Sequence, residues 1–308
     1  MPALRRIILA KWFLTILTGL GLLLSAGCSS FVHQQESEWL YAPMARPLQP
    51  TIQQEVKILR LSQLLQQKEL TDEIRAKVFH ERGNSYDMLG LKNLARLDFE
   101  QSLRFYPSQP EVFNMLGVYY TEINDFDAAY ESFDSALELA PESVYAGRNL
   151  AIALYYGGRS RLARDEIEQV IAKNSADPFS VLWRYMIVNE MDAETARKEL
   201  MQSYHARQPE QDNAWGWSLV AMMLGETDDS AVFKQLLQET SDNTVLARRL
   251  TEAYFYLGKR YEMQAQYAEA VALYKLAISM NVYEYIEHRY AFLELERIYH
   301  TIKDDHSS

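Results

Sequence analysis

The chain has 308 residues, with 31 Lys+Arg against 42 Asp+Glu and a net charge of −11. This acidic balance argues against nucleic acid as a partner and against peripheral docking on anionic lipid, since both need a basic face. A single cysteine excludes an intrachain disulfide, and only 12 Gly and 9 Pro in a chain rich in Ala, Leu, Tyr and Glu favour helix over sheet.

Arg5, Arg6 and Lys11 precede an apolar run from Trp12 to Leu24, which ends in Ser25, Ala26 and Gly27. A basic start, an apolar stretch and small residues at its end make residues 1–27 a secretory signal peptide. The run is about 13 residues, short of the roughly 20 that cross a bilayer as a helix, and a signal anchor is the alternative. Cys28, the only cysteine, follows at once. Leu24-Ser25-Ala26-Gly27-Cys28 resembles the lipobox of bacterial lipoproteins, with Ser25 where that family prefers leucine. The resemblance implies cleavage before Cys28 and acylation of its thiol and amine. Two or more acyl chains anchor stably where one does not. Ser29 implies sorting to an outer membrane facing the periplasm. Loss of residues 1–27 removes three bases and no acid, leaving 28 basic against 42 acidic residues, a net charge of −14. Residues 28–50 show no helical period and carry Pro43, Pro47 and Pro50, so they read as a lipidated flexible tether.

Residues 51–70 have an amphipathic helical pattern within an N-terminal capping region, 51–75. An internal repeat follows. Phe79, Gly83, Tyr86, Ala95, Phe99 and Pro107 recur at one constant offset as Phe113, Gly117, Tyr120, Ala129, Phe133 and Pro141. That offset and those residue types are the signature of the tetratricopeptide repeat (TPR), a pair of antiparallel helices with a period of about 34 residues. Repeats 1–3 span 76–109, 110–143 and 144–177, the third degraded, with "YYGGR" (155–159) at its inter-helix turn. Repeat 4 spans 251–284 and carries Tyr254, Gly258, Tyr261, Ala270, Tyr274 and Ala277. The step from Gly117 to Gly258 overshoots four whole periods, so the register slips across 178–250, read as two irregular helical hairpins. A C-terminal helix is expected over 285–303 and a disordered tail over 304–308. The expected fold is all-α, a TPR solenoid with N- and C-terminal capping helices.

No chemistry announces itself. The six histidines form no metal-ligand pattern, there is no nucleophile-elbow or phosphate-loop motif, and the carboxylates fall on outer helix faces and in turns. The reading is a non-enzyme with no cofactor and no metal. "WGW" (215–217) is either an aromatic platform or helix packing, and packing is the better account. A TPR solenoid presents a concave surface lined by the first helix of each repeat. The groove positions of repeats 1–3 supply Lys77, Asn84, Asp87, Asn114, Arg148 and Tyr155 as candidate partner contacts. Asparagine amides hydrogen-bond an extended peptide backbone, and Arg148 or Lys77 can pair with a carboxylate. TPRs that clamp carboxylates carry Lys and Asn at related places. Lys77 and Asn84 match in part, whereas Val118 departs.

The lipobox, "PLQPTIQQEV" (47–56), two clean TPRs, "ALYYGG" (153–158), "DPFSVLW" (177–183), "WGW" and "EHRYA" (287–291) together resemble the NlpI-type family of bacterial TPR lipoproteins. The resemblance implies a homodimeric, membrane-anchored adaptor of the envelope. Its implied partners are peptidoglycan hydrolases, notably endopeptidases, and a C-terminal-processing periplasmic protease, so that it regulates wall cleavage during growth and division. Two alternatives stay open at this level: a lipoprotein component of outer-membrane protein assembly, and a wall-cleaving enzyme with a solenoid body, which needs a catalytic domain that nothing after residue 284 resembles.

Overall fold

Fourteen helices and no strand are found among the described residues, which in this computed structural model are 42–207 and 214–305. The signal peptide and Cys28 lie outside them. Helix α1 (Ile52–Leu65) opens with a reciprocal capping box, Thr51 Oγ1 accepting from Gln54 N–H and Gln54 Oε1 from Thr51 N–H. Its half-buried Ile58, Leu61 and Leu65 lean on α2 (Asp72–Asp87), while Ile52 and Leu59 stay exposed. Repeat 1 is α2 with α3 (Lys92–Phe105), repeat 2 is α4 (Pro110–Glu122) with α5 (Phe126–Leu139), and repeat 3 is α6 (Val144–Tyr156) with α7 (Ser160–Lys173).

Repeats 1, 2 and 4 each close on an aromatic ring laid over a glycine. A Cβ added at Gly83 would stand 2.7 Å from the Phe99 ring, one at Gly117 2.5 Å from Phe133, and one at Gly258 2.8 Å from Tyr274. All three rings are buried. Phe99 also packs with Ala95 against Val112 and Leu116, so the ring that closes one repeat joins it to the next. The inter-helix turns repeat as closely. Gly90, Asn124 and Gly158, spaced one period apart, and Ala265 at the same place in repeat 4, have left-handed φ values of 72°, 62°, 71° and 57°. The next residue's N–H then bonds back five positions, Leu91 to Tyr86, Asp125 to Tyr120, Arg159 to Leu154 and Gln266 to Tyr261. This is the helix-terminating bond that satisfies orphan carbonyls. "YYGGR" therefore supplies a turn.

Region 178–250 divides into α8 (Pro178–Asn189), α9 (Ala193–Ala206), α10 (Ala214–Leu224) and α11 (Asp229–Glu239). "WGW" goes into packing: Trp217 is buried, Gly216 lies against Pro178, and Trp215 donates to Glu252. One boundary departs from the sequence reading. Helix α12 (Asn243–Met263) begins two turns before residue 251, the expected start of repeat 4. Asp242 caps it, its Oδ1 accepting from Val245 N–H, and nothing breaks the helix through buried Ala247 and Leu250. Helix α13 (Tyr267–Ser279) completes repeat 4, and α14 (Ile286–Asp305) follows, reaching past residue 303. Residues 306–308 lie outside the described part.

The tether reading also needs correction where the structure describes it. Residues 43–50 are extended but not free. Tyr254 OH donates to the Pro43 carbonyl at 2.5 Å, Leu48 N–H to the Met280 carbonyl at 3.0 Å, and Asn281 Nδ2 to the Leu48 carbonyl at 3.1 Å. Asn243 accepts from Arg46 N–H and donates to its carbonyl, and Ala45 is buried. Prolines fix the extended backbone and leave carbonyls for these side chains.

Two substitutions test this account by urea denaturation. Gly117→Ala is expected to destabilise by about 1–3 kcal/mol, because the buried Phe133 ring has nowhere to move. Ala265→Gly is expected to stabilise by up to about 1 kcal/mol by relieving a left-handed alanine.

Candidate functional site

The concave surface is the candidate site, and α14 divides it in two. The helix packs on α13 and α12 of repeat 4 and closes the solenoid there. It crosses the C-terminal ends of the first helices of repeats 1–3. Arg289, 2% exposed at its side chain, pairs with both carboxylate oxygens of Asp87 and lies 3.5 Å from Glu122. Glu294, fully buried, accepts from Tyr156 OH at 2.7 Å and from Lys259 Nζ at 2.9 Å. Tyr290 inserts among Tyr156 and Trp183, with ring centroids 5.2 and 6.3 Å away. Lys259 also donates to Tyr155 OH at 3.2 Å, joining repeat 3 to repeat 4 beneath the helix.

Two of the six predicted contacts are thereby corrected. Asp87 and Tyr155 do face the groove, but both are buried: Asp87 by its ion pair with Arg289, Tyr155 by Lys259 and its neighbouring rings. Neither is open to a partner while α14 is in place. Lys77 is exposed and pairs with Glu73 one turn away, outside the cavities described next.

Asn84, Asn114 and Arg148 come together beside α14. They line two adjoining cavities of about 660 and 480 Å³ that share Asn114, Met115 and Tyr145, so the open half of the groove is one trough. Its floor is built from amides. Asn149 Nδ2 donates to Asn114 Oδ1 at 3.0 Å, which leaves the Asn114 amide nitrogen without a hydrogen bond among the described residues. The Asn84 side chain makes none among them either. Arg148 is held at the wall by Asp177, 2.7 Å from Nη1. Asp177 also caps α8 through Phe179 and Ser180, so the cation is fixed by the next hairpin. Tyr145 stands 69% exposed at the rim with the Arg148 guanidinium 5.4 Å from its ring centre.

The larger of the two cavities is also lined by two carboxylates that form no ion pair among the described residues. Glu252 accepts from Trp215 Nε1 at 2.6 Å and Glu287 from Tyr256 OH at 2.9 Å. Burial, and then the neighbouring Glu287, pushes the Glu252 carboxyl up to about 8, while burial raises Glu287. Burial and the neighbouring acid thus favour the protonated form of Glu252. Sequence reasoning missed both acids, because the side chains that meet them, Trp215 and Tyr256, stand 37 and 31 residues away in the chain. Among the described residues, no group of three or more His, Cys, Asp or Glu side chains is placed to hold a metal ion, and no helix is long and apolar enough to cross a membrane.

The tetratricopeptide repeat family model matches residues 110–143, which are α4 and α5 with their flanks. The chain is a tetratricopeptide-repeat solenoid. Solved structures similar to it include the protein MamA, 17% identical over 67% of this chain and 91% of that one, TM-score 0.40. Another is pilF of Pseudomonas aeruginosa, 15% identical over 78% of this chain and 97% of that one, TM-score 0.39. A third is the C-terminal part of a TPR repeat-containing protein from Cytophaga hutchinsonii, 15% identical over 67% of this chain and 69% of that one, TM-score 0.39. Likeness at this level carries no argument about function. The TPR fold is typically a non-catalytic scaffold for protein partners.

The folded state holds the Glu252 proton more tightly than the unfolded chain does, whose carboxyl titrates in the ordinary range. The resulting stabilisation is fully present at low pH and disappears as pH rises from the ordinary carboxylate range through about 8. Glu252→Gln preserves the acceptor for Trp215 and has no proton to lose. It is expected to flatten the fall in melting temperature between pH 5 and pH 9, with the variant the more stable at pH 9, as read by thermal denaturation across that range.

Proposed function

We propose that this protein is a scaffold whose trough holds an extended segment of a partner protein, and that it works tethered to the bacterial envelope through lipid on Cys28. The trough carries the first part. Its unused amide groups at Asn84 and Asn114 lie along the first helices of successive repeats, where they can take the N–H and C=O groups of an extended backbone. Tyr145 at the rim offers an aromatic face at low entropic cost. Fixed by Asp177, Arg148 presents its charge without reordering, which favours binding.

The partners follow from the resemblance to NlpI-type lipoproteins. In this reading the solenoid brings peptidoglycan hydrolases, chiefly endopeptidases, together with a C-terminal-processing periplasmic protease, as a homodimer anchored in the outer membrane. Anchoring confines both enzymes to a thin layer at the wall and raises their effective concentration toward each other. The strongly acidic mature chain accords with attachment by lipid and not by a basic surface.

Quantitative affinity purification from solubilised envelopes tests this, comparing the full-length chain with Asn84→Ala/Asn114→Ala/Tyr145→Ala, none of which removes a buried ion pair. Wall hydrolases and a processing protease are expected with the parent, at least one of them depleted tenfold or more with the variant. Equal recovery would remove the trough as the contact. Recovery of a β-barrel assembly complex alone would replace the hydrolase reading with an outer-membrane assembly role.

A further inference from the structure

The trough carries negative charge that the chain itself does not answer. Its larger cavity, about 660 Å³, is lined by the Asn114 amide and also by Glu252 and Glu287, so the amide floor and the two acids share one space. Both acids are more than nine-tenths buried, Glu252 at 8% exposure and Glu287 at 5%. Trp215 Nε1 donates to Glu252 Oε2, and Tyr256 OH to Glu287 Oε1. These donors are neutral, so neither supplies a compensating charge. Glu252 Oε1 makes no hydrogen bond among the described residues, and its side chain lines the cavity.

Four arginines lie around these acids, and each is committed elsewhere. Arg148 pairs with Asp177 at 2.7 Å, Arg289 with Asp87, and Arg248 with Glu284 at 3.1 Å. Arg249 donates to Thr240 at 3.3 Å and lies over the Trp215 ring. A carboxylate buried without a cation is costly, and a second one beside it adds to the cost of ionising either. A pair of glutamines would keep both hydrogen bonds without that cost, so packing alone does not account for two acids here. The partner this pair lacks is a cation. Phe179 and Tyr285 line the same cavity, and aromatic faces suit a planar one. The carboxyls are already out of water and held by Trp215 and Tyr256, so a ligand does not have to order them.

We infer that Glu252 and Glu287 form a pocket in the trough for an arginine side chain of the bound partner segment. This rests on the reading of the trough as a peptide site and adds the residue that the site selects. The guanidinium fork donates to both carboxylates, including the open oxygen of Glu252, while its stem lies along Phe179 and Tyr285. The backbone of the same segment meets Asn114, which lines the same cavity. A neutral side chain of similar shape leaves the two acids uncompensated, and an acidic one adds a third negative charge. Selection for arginine thus comes as much from what the pocket rejects as from what it holds.

Nuclear magnetic resonance of the full-length chain with isotope-labelled tryptophan reads the pocket directly. The Trp215 indole N–H, assigned with Trp215→Phe, reports on the Glu252 carboxyl to which it donates. The probe is N-acetyl-arginine methylamide, and its citrulline counterpart, alike in shape but uncharged, is the control. The arginine probe is expected to shift the Trp215 resonance and to bind at least tenfold more tightly than the control. Glu252→Gln/Glu287→Gln, which keeps both hydrogen-bond acceptors, should abolish that difference with native circular dichroism. Equal binding of the two probes, no response to either, or a preference that survives in the double variant would overturn the inference. The comparison of probes on the native chain stands even if the variant does not fold. A second test selects peptides from a random displayed library on the native chain and on the double variant. Arginine is expected at least threefold more often in the peptides held by the native chain, and equal frequency would overturn the inference. Selection on Asn84→Ala/Asn114→Ala separates the two readings. Arginine-rich peptides held as well by that variant remove the amide floor and keep the pocket. Peptides that need the floor but show no arginine preference keep the trough and remove the pocket.

Discussion

An aromatic ring against a helix glycine is the contact on which the rest of this protein depends. Phe99 on Gly83, Phe133 on Gly117 and Tyr274 on Gly258 bring the two helices of a repeat within a distance that any side chain at the glycine would forbid. Because the same Phe99 also fills the space against Val112 and Leu116, the spacing within a repeat sets the spacing between repeats. Close packing allows little slack at such a point, so a small change in the angle at one joint is carried into all later ones. The curvature of the concave face, and so the width of the trough and the seat of α14, follows from these rings.

On that frame the molecule places two kinds of polar surface. The trough keeps its polar groups open or lightly bonded: Asn84 and Asn114 have capacity to spare, and Arg148 is held by a carboxylate that caps the next helix. The face under α14 does the opposite. Its charges are buried and answered one by one from a single helix, Arg289 to Asp87 and Glu122, Glu294 to Lys259 and Tyr156. A surface of the first kind has hydrogen-bonding capacity left over. On a surface of the second kind, loss of either partner leaves a buried charge unpaired.

The extended strap at 43–50 gives the N-terminal side of the solenoid an unexpected anchor. It bonds to Met280 and Asn281, which begin the connection to α14, and to Asn243 and Tyr254 of α12. The prolines that mark it as non-helical are the same residues that suit it to lie along a surface, with fixed backbone angles and carbonyls free to accept. A polar, proline-bearing segment does not by its composition reveal whether it is free or docked. That depends on donors such as Tyr254 and Asn281, which lie near the other end of the chain.

The helices, the repeat period and the roles of Gly83, Gly117, Phe99 and Phe133 were legible in the sequence, because each rests on interactions within one repeat or with the next and recurs at a fixed spacing. The repeat positions of Asn84, Asn114 and Arg148 could also be read, since a repeat position maps directly onto a face, and all three line the trough. The left-handed turn residues Gly90, Asn124, Gly158 and Ala265 hid that regularity behind three residue types, as only the backbone conformation is shared. The early start of α12, the docking of 43–50 and the burial of Asp87 and Tyr155 belong to the tertiary structure alone. Asp87 and Arg289 are 202 residues apart, and Tyr155 and Lys259 104. Charges are placed by local pattern on outer faces because water is their usual partner. Only the folded chain brings a helix from beyond the last repeat back across the first three, and with it the opposite charges that replace water there.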